Sequence, residues 1–317
     1  MRGPIGFTCS FHEAEQDRAL WTADMDRLQD LGATAIRVGF SPWLVSSIHL
    51  DHIEWCLQDA TARDLKVLII TAQLPNMLEP DVPLATKYDQ AVEYIEMLAP
   101  RFAQYATWWQ VLNEHDARAW DTYEYLGTAW DPATGDSRRA GMTDAYLETV
   151  EVVMSRCRAA IHAVRPDIPV GTALTGESIS TANEEYQWRP FHRVVKSVDF
   201  IGINGYPFDT PINYTEMPAR LRRTAHWAGK PVILTEIGLP TQPYPDVQET
   251  MEWVARQVDY GTRSADVEAL FVYCLRDTGT DPLDPEQSFG VFEHDGTPKA
   301  GWRAVRTIIR SITDSLT

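Results

Sequence analysis

Short apolar segments alternate with amphipathic helical segments along the whole sequence, and this alternation is the feature that most constrains the fold. The strand-like segments cover residues 5–9, 35–40, 66–71, 108–114, 169–174, 198–204, 231–236 and 269–273. Apolar residues at helical spacing follow at 15–31, 51–63, 88–102, 146–164 and 217–227, and again around Met251 and Trp302. Because no linker or change of composition interrupts the pattern, the sequence predicts an α/β fold, a single (β/α)8 TIM barrel over residues 1–317.

A doubly wound open sheet is the alternative fold. Its dinucleotide-binding form requires a glycine-rich turn after an early strand. Residues 8–12, which read Thr-Cys-Ser-Phe-His, occupy that place and contain no glycine. We therefore favour the closed barrel, with long loops at about 115–141 and 276–297 after the fourth and eighth strands.

The charge of the chain limits its partners. It has 45 acidic and 28 basic residues, which give a net charge of −17. Nucleic acids and anionic membranes bind clustered Lys and Arg, so neither is an expected partner of this acidic chain. Uncharged sugars and peptides remain possible partners. No segment approaches the ~18 apolar residues of a membrane span, and the first residues lack the pattern of a signal peptide. A cytoplasmic location is the default expectation, and the oligomeric state is left open.

Metal ligands and disulfides are not indicated by the sequence. The cysteines are widely spaced and are expected to be small buried hydrophobes: Cys9, Cys56, Cys157 and Cys274. His49 and His52 fall at a helix start rather than at a strand end. The segment from Asp131 to Asp136 suits a plain turn better than a calcium loop. We expect no metal and no organic cofactor.

Two glutamates end strand-like segments, where the loops of a barrel build its active site. Glu114 closes the fourth segment and Glu236 closes the seventh. Lys66 and Lys230, by contrast, lie at strand starts, which argues against a Schiff-base aldolase. Paired carboxylates suit glycoside hydrolysis, in which a protonated one serves the leaving oxygen and an ionised one attacks the anomeric carbon. A separation of about 5–5.5 Å retains configuration and about 6.5–9.5 Å inverts it; a narrow, packed barrel interior favours the close pair.

Three motifs together carry a resemblance to a known group of enzymes. They are Leu-Asn-Glu at 112–114, Leu-Thr-Glu-Ile-Gly at 234–238, and Phe-Gly-Val at 289–291 followed by Asp-Gly-Thr-Pro-Lys-Ala at 295–300. As a set they resemble the clan of retaining glycoside hydrolases whose catalytic glutamates lie on strands four and seven. Within that clan the chain is most similar to the family 39 and family 5 types.

The resemblance implies a role for each of five residues. Glu114 would be the acid/base and Glu236 the nucleophile. Asn113 would bind the sugar 2-hydroxyl, Arg37 would support the nucleophile, and Tyr206 would be its hydrogen-bond partner. A structural ion pair remains the alternative for Arg37, and simple packing the alternative for Tyr206.

The sequence departs from the clan at strand eight, where Tyr273 stands in place of the usual tryptophan. Trp43 and Trp120 follow strands two and four and are candidates for stacking on sugars, although such residues also pin loops to a barrel. The polar residues His12, Asn76 and Asp277 are rim candidates by position alone.

The sequence therefore predicts a retaining β-glycoside hydrolase that cleaves a neutral β-linked oligo- or polysaccharide by double displacement. The alternative is a catalytically weak or inactive TIM barrel that binds carbohydrate, which the substitution at strand eight keeps open.

Overall fold

A computed structural model of the chain describes residues 3–11, 17–40, 47–71, 83–114, 144–175, 193–206, 217–242, 244 and 246–315. Its strands are β1 (Ile5–Cys9), β2 (Ala35–Gly39), β3 (Lys66–Ile70), β4 (Trp108–Asn113), β5 (Val170–Thr175), β6 (Phe200–Asn204), β7 (Val232–Ile237) and β8 (Val267–Val272). All are parallel and pair in chain order, and β8 returns to β1 to close the barrel. The predicted TIM barrel is confirmed.

Seven α-helices lie in the described part of the chain. They are α1 (Arg18–Leu31), α2 (Ser47–Ala62), α3 (Leu84–Phe102), α4 (Asp144–Val164), α5 (Met217–Ala228), α6 (Val247–Thr262) and α7 (Trp302–Asp314). Between β5 and β6 the described residues include a 3₁₀ turn at Val195–Ser197. None of the helices within these ranges combines the length and apolarity that a membrane crossing needs.

Helix α1 shows how local chemistry sets an element's ends. The Asp17 carboxylate accepts a hydrogen bond from the Leu20 backbone N–H at 2.9 Å, so the helix begins after Asp17 rather than at the predicted residue 15. Gly32 ends it with a φ of 85°, a left-handed conformation that glycine adopts without steric cost. The predicted stop at Gly32 is confirmed.

The barrel interior is packed with apolar side chains near the N-terminal ends of the strands. This interior cluster consists of Ala35, Leu68, Trp108, Phe200, Ile233, Ala269 and Phe271. A larger apolar cluster lies between the strands and the surrounding helices and includes Trp21 and all but one of the buried cysteines. All four cysteines are buried, as predicted. Because the interior is filled at that end, polar side chains that enter the barrel gather toward its C-terminal mouth.

Irregularities in β4 and β7 change which way their side chains point. In β4 the pairing with β5 shifts between Gln110 and Asn113. In β7 the pairing with β6 shifts so that Asn204 lies opposite Glu236 although Ile203 lies opposite Leu234. Such bulges interrupt the in–out alternation of a strand, and they are common beside active sites. They decide the orientation of the groups described next.

Candidate active site

Both predicted catalytic glutamates lie at the C-terminal mouth of the barrel. Glu114 directly follows β4, and its backbone N–H still donates to the Ala173 carbonyl of β5 at 2.8 Å. Its φ is 48°, in the left-handed region that residues other than glycine rarely adopt. Backbone conformations of this kind concentrate at functional sites, where surrounding contacts hold them.

Glu236 is the last residue but one of β7, close to the strand end that the sequence predicted. Strict alternation would place Thr235 and Glu236 on opposite faces of the strand, yet both reach polar groups of the barrel interior. The bulge in β7 accounts for this, because it adds one residue between the two pairings. Glu236 is 6% exposed, so its carboxylate depends on protein partners.

Those partners are Arg37 and Tyr206. The Arg37 Nη2 lies 2.8 Å from Glu236 Oε1, and the Tyr206 hydroxyl donates to Glu236 Oε2 at 2.5 Å. Burial, and then the negative charge of Glu236, raise the pKa of Tyr206 well above its usual range. Tyr206 therefore stays a neutral donor at physiological pH. The structure places Arg37 and Tyr206 in direct contact with Glu236, and the roles implied for them stay predictions.

Arg37 also contacts three further side chains. Its Nε donates to Gln110 Oε1 at 3.2 Å, its Nη1 to Thr8 Oγ1 at 3.3 Å and its Nη2 to Asn113 Oδ1 at 3.1 Å. The guanidinium is buried, and all its polar hydrogens are donors. One cation thus orients the predicted nucleophile and the predicted sugar-binding amide together.

The amide of Asn113 is held by its oxygen. Asn113 Oδ1 accepts from Arg37, from Gln110 Nε2 at 2.9 Å and from Asn204 Nδ2 at 3.2 Å. Since three donors converge on the oxygen, the Nδ2 of the planar amide points away from them. An amide nitrogen in that position can donate to a ligand hydroxyl.

Asn204 and Gln110 belong to the site and were missed by sequence reasoning. Asn204 Nδ2 donates to Glu114 Oε1 at 2.9 Å, and Asn204 Oδ1 accepts from the Thr235 hydroxyl at 2.7 Å. The available signal was a polar residue at the end of an otherwise apolar strand, the same signal that marked Glu114. The sequence signal for Gln110 was weaker, because it is only a polar residue within a strand.

Tyr273 lies in an aromatic group beside Glu236. Its ring centroid is 6.4 Å from that of Tyr206 and 5.4 Å from that of Phe289, and Tyr206 and Phe289 are 5.6 Å apart, all edge to face. Burial raises the pKa of Tyr273. The position predicted for the strand-eight aromatic is therefore next to the predicted nucleophile, and Phe289 joins it from the loop that follows.

Asp277 is not an open rim ligand. Its Oδ1 accepts from the Lys299 Nζ at 2.7 Å and from the Gly290 N–H at 2.7 Å, and both side chains are buried. Lys299 donates its other two hydrogens to Thr241 Oγ1 and to the Ser288 carbonyl, each at 2.9 Å. The candidate assignment of Asp277 to ligand binding is thus replaced by a structural one.

Trp108 lies far from Glu114, although the two residues are close in the sequence. Trp108 starts β4 in the interior cluster and donates its indole N–H to Glu268 at 2.9 Å, whereas Glu114 follows the other end of the strand. Six residues of extended chain separate the two by about 20 Å. Trp109 faces the outer apolar cluster. The candidates Trp43, Trp120, His12 and Asn76, and the segment from Asp131 to Asp136, lie outside the described residues.

Metal binding finds no support in the described ranges, where no three His, Cys, Asp or Glu side chains come together to hold an ion. His49 and His52 lie in the first turns of α2, as predicted. Lys66 is the first residue of β3, and Lys230 precedes β7.

Comparison of the whole chain with solved structures identifies glycosidases. A β-glycosidase, BGL167, has 16% sequence identity and a TM-score of 0.71 over 98% of this chain and 97% of that chain. The exo-β-1,4-mannosidase Op5Man5 from Opitutaceae bacterium strain TAV5 has 16% identity and a TM-score of 0.74 over 99% of this chain and 60% of its own. The β-glucosidase from Thermotoga maritima, solved with deoxynojirimycin, has 12% identity and a TM-score of 0.70 over 99% and 98%. This chain has the fold of these glycosidases.

The likeness is one of fold, at low sequence identity. No protein-family model matches the chain, and no curated protein matches its sequence.

Proposed function

We propose that the protein is a retaining β-glycoside hydrolase that acts on a neutral β-linked oligo- or polysaccharide. The observation that carries this proposal is the pair of glutamates at the barrel mouth, which differ in their partners. Glu236 faces a guanidinium and a phenolic donor, whereas Glu114 faces the amide of Asn204. Glycoside hydrolysis by double displacement requires two carboxyl groups with different roles.

The partners assign the roles. The charge of Arg37 complements an ionised Glu236, which attacks the anomeric carbon and forms a covalent glycosyl-enzyme while the bond to the leaving oxygen breaks. Glu114 gives its proton to that oxygen. It then takes a proton from the water that hydrolyses the glycosyl-enzyme, so that Glu236 is released and the configuration is retained.

The other residues would hold the sugar near the reacting carbon. Asn113 directs its amide nitrogen away from Arg37 and can donate to the 2-hydroxyl. Tyr273 packs against Tyr206, the hydrogen-bond partner of Glu236, and its ring is placed to contact the sugar. The acidity of the chain disfavours anionic substrates, and the structures that share the fold include β-glucoside and β-mannoside hydrolases by name. These points support a neutral β-linked substrate and membership of the retaining clan.

The proposal is tested with a panel of deoxyfluoro β-glycosides that carry fluorine at carbon two and an activated leaving group. Intact mass should show one covalent adduct, and peptide mapping should place it on Glu236. Glu236→Gln is the matched control and should stay unlabelled. Labelling at another residue would overturn the role assignment. Binding of oligosaccharides in calorimetry with no labelling and no turnover would instead favour the binding-only barrel.

The acid role of Glu114 has its own test. Glu114→Gln should slow substrates with poor leaving groups by about 10²–10⁴-fold, because a general acid contributes on that order. Aryl glycosides with acidic phenols need little protonation, so their first step should slow far less. Steady-state rates over a series of phenols give the comparison. An equal loss of rate for all leaving groups would show that Glu114 is not the general acid.

A further inference from the structure

We infer that Asn204 is a positioning residue for Glu114, which it holds through Oε1 so that the acid's proton is carried by Oε2. This inference rests on the proposed function for its catalytic meaning. Its structural basis is a set of hydrogen bonds whose donor and acceptor directions are fixed one after another.

The first fixed direction comes from Arg37. A guanidinium has only donors, so the atom of Asn113 that lies 3.1 Å from Nη2 must be the oxygen. That oxygen also faces Asn204 at 3.2 Å, so the facing atom of Asn204 must be its nitrogen. The assignment of both amides therefore follows from chemistry rather than from a choice between similar atoms.

Thr235 fixes Asn204 from the other side. With the Asn204 nitrogen facing Asn113, its oxygen faces the Thr235 hydroxyl at 2.7 Å and accepts from it. Thr235 occupies this place because of the bulge in β7, and Asn204 is fully buried at the end of β6. The amide can neither rotate nor flip without breaking hydrogen bonds on both sides.

The last link reaches Glu114. The same Asn204 nitrogen donates to Glu114 Oε1 at 2.9 Å. An oxygen that accepts from an amide N–H is the carbonyl-type oxygen of a protonated carboxyl group, so the proton occupies Oε2. Asn204 thus selects which oxygen of Glu114 delivers the proton, and it also stabilises the carboxylate after delivery.

Other charged or titratable groups act on the same region. Among the described strands and the residues that follow them, these are Arg37 from β2, Glu236 from β7, and Tyr206 and Tyr273 after β6 and β8. Tyr206 and Glu114 are close enough to interact electrostatically. A change at Asn204 leaves all four in place, so its effect on Glu114 can be measured separately.

The direct test is the titration of Glu114 by carbon-13 NMR in protein labelled at the glutamate carboxyl carbon. The signal is assigned by its loss in Glu114→Gln. Asn204→Asp keeps the shape and the Thr235 contact but removes the donor, and Asn204→Leu removes all polarity. Asn204→Leu should raise the titration midpoint of Glu114 by about one pH unit, since a donor to the charged form is lost, and Asn204→Asp should raise it further, since it also places a like charge beside Glu114. Thr224→Val, a buried polar deletion on α5 outside the site, is the matched control and should not move it.

Kinetics provide the second readout. Asn204→Leu should lower kcat on a poor leaving group and move the alkaline limb of the pH–rate profile upward, with little change in KM. In the Glu114→Ala background the same substitution should change the rate by no more than about twofold, because its target is gone. Asn204→Asp provides both measurements if Asn204→Leu does not fold.

The outcomes separate the two proposals. An unchanged Glu114 titration in Asn204→Asp overturns the inference, whether or not the protein hydrolyses glycosides. A shifted titration in a protein that neither labels nor turns over supports Asn204 as the partner of Glu114 and overturns the proposed hydrolase. Equal kinetic losses with and without Glu114 would reduce Asn204 to a structural residue.

Discussion

Arg37 lies where the polar groups of four strands converge. It contacts Thr8 of β1, Gln110 and Asn113 of β4, and Glu236 of β7. A lysine carries the same charge but lacks the planar fork of donors, so it cannot serve these directions at once. Arg37 was assigned from the resemblance to the clan of retaining glycoside hydrolases, which implied that it supports the nucleophile.

Removing Arg37 should cost stability as well as activity. Arg37→Met leaves Glu236 buried without its counter-charge, and we expect the free energy of unfolding in urea at pH 7 to fall by about 3–5 kcal/mol. Arg101→Met is the control, because the ion pairs of Arg101 with Asp51 and Glu54 are partly exposed and should cost about 1 kcal/mol or less. Equal losses in both variants would show that Glu236 is not held by Arg37.

The residues that sequence reasoning missed share a cause. Asn204 and Gln110 act on other protein groups, and residues of that kind have no typical sequence spacing. The orientation of Asn113 and Glu236 was equally hidden, because both depend on bulges that place them off the alternation of their strands. Strand ends can be located from apolar runs, whereas bulges depend on pairing with a neighbour far along the chain.

At the scale of elements, the segment between β8 and α7 is fixed by one buried lysine. Lys299 joins Asp277 to Thr241 and to the Ser288 carbonyl, and so connects this segment to the loop after β7. Phe289 follows directly and packs against Tyr206. The position of the Phe289 ring thus depends on the salt bridge between Asp277 and Lys299, which lies in the same segment.

Lys299→Met should break this arrangement. The substitution leaves the buried Asp277 without a positively charged partner. The free energy of unfolding in urea at pH 7 should therefore fall by about 3–5 kcal/mol. Near-ultraviolet circular dichroism should also lose aromatic signal as Phe289 moves. Lys196→Met removes an exposed lysine and should stay within about 0.5 kcal/mol of the parent. Intact stability in Lys299→Met would contradict the role given to this pair.

The elements themselves were largely predictable. The first strand has the predicted bounds, and the others differ by a residue or two at their ends. Trp108 and Glu114 show that residues of one strand can lie far apart: the aromatic start of β4 and the glutamate that follows its end face different regions of the barrel. The apolar pattern locates a strand in the sequence. Whether two residues of that strand are close in space depends also on the length of extended chain between them.

At the scale of the whole molecule, several buried acids bind their protons more tightly when the chain is folded. Burial raises the pKa of Cys157 and Cys274 to about 12, and it raises the pKa of Tyr94, Tyr206 and Tyr273 above the ordinary 10.0. The folded state therefore holds protons that the unfolded state releases above pH 9 to 10. Stability from these groups is complete below that range and declines as pH rises through it, by about 1.4 kcal/mol per pH unit for each group.

Tyr94→Phe isolates one such group. The Tyr94 hydroxyl on α3 is buried and has no hydrogen-bond partner among the described residues. Its removal should raise the free energy of unfolding at pH 7 by about 1 kcal/mol. It should also make the free energy of unfolding fall less steeply at alkaline pH, by the contribution of one titrating group. Urea unfolding from pH 7 to about 11 measures both effects. A parallel decline in parent and variant would show that Tyr94 ionises equally in the two states.

The site network is built almost wholly from strands. Arg37, Gln110, Asn113, Asn204 and Glu236 are strand residues, and Glu114 and Tyr206 follow within one or two positions. An insertion or exchange in the loops beyond them therefore leaves the reacting groups in register. For the proposed hydrolase, evolution can therefore change the accepted substrate through loop substitutions alone, whereas a change of a single codon in the barrel is enough to lose the chemistry.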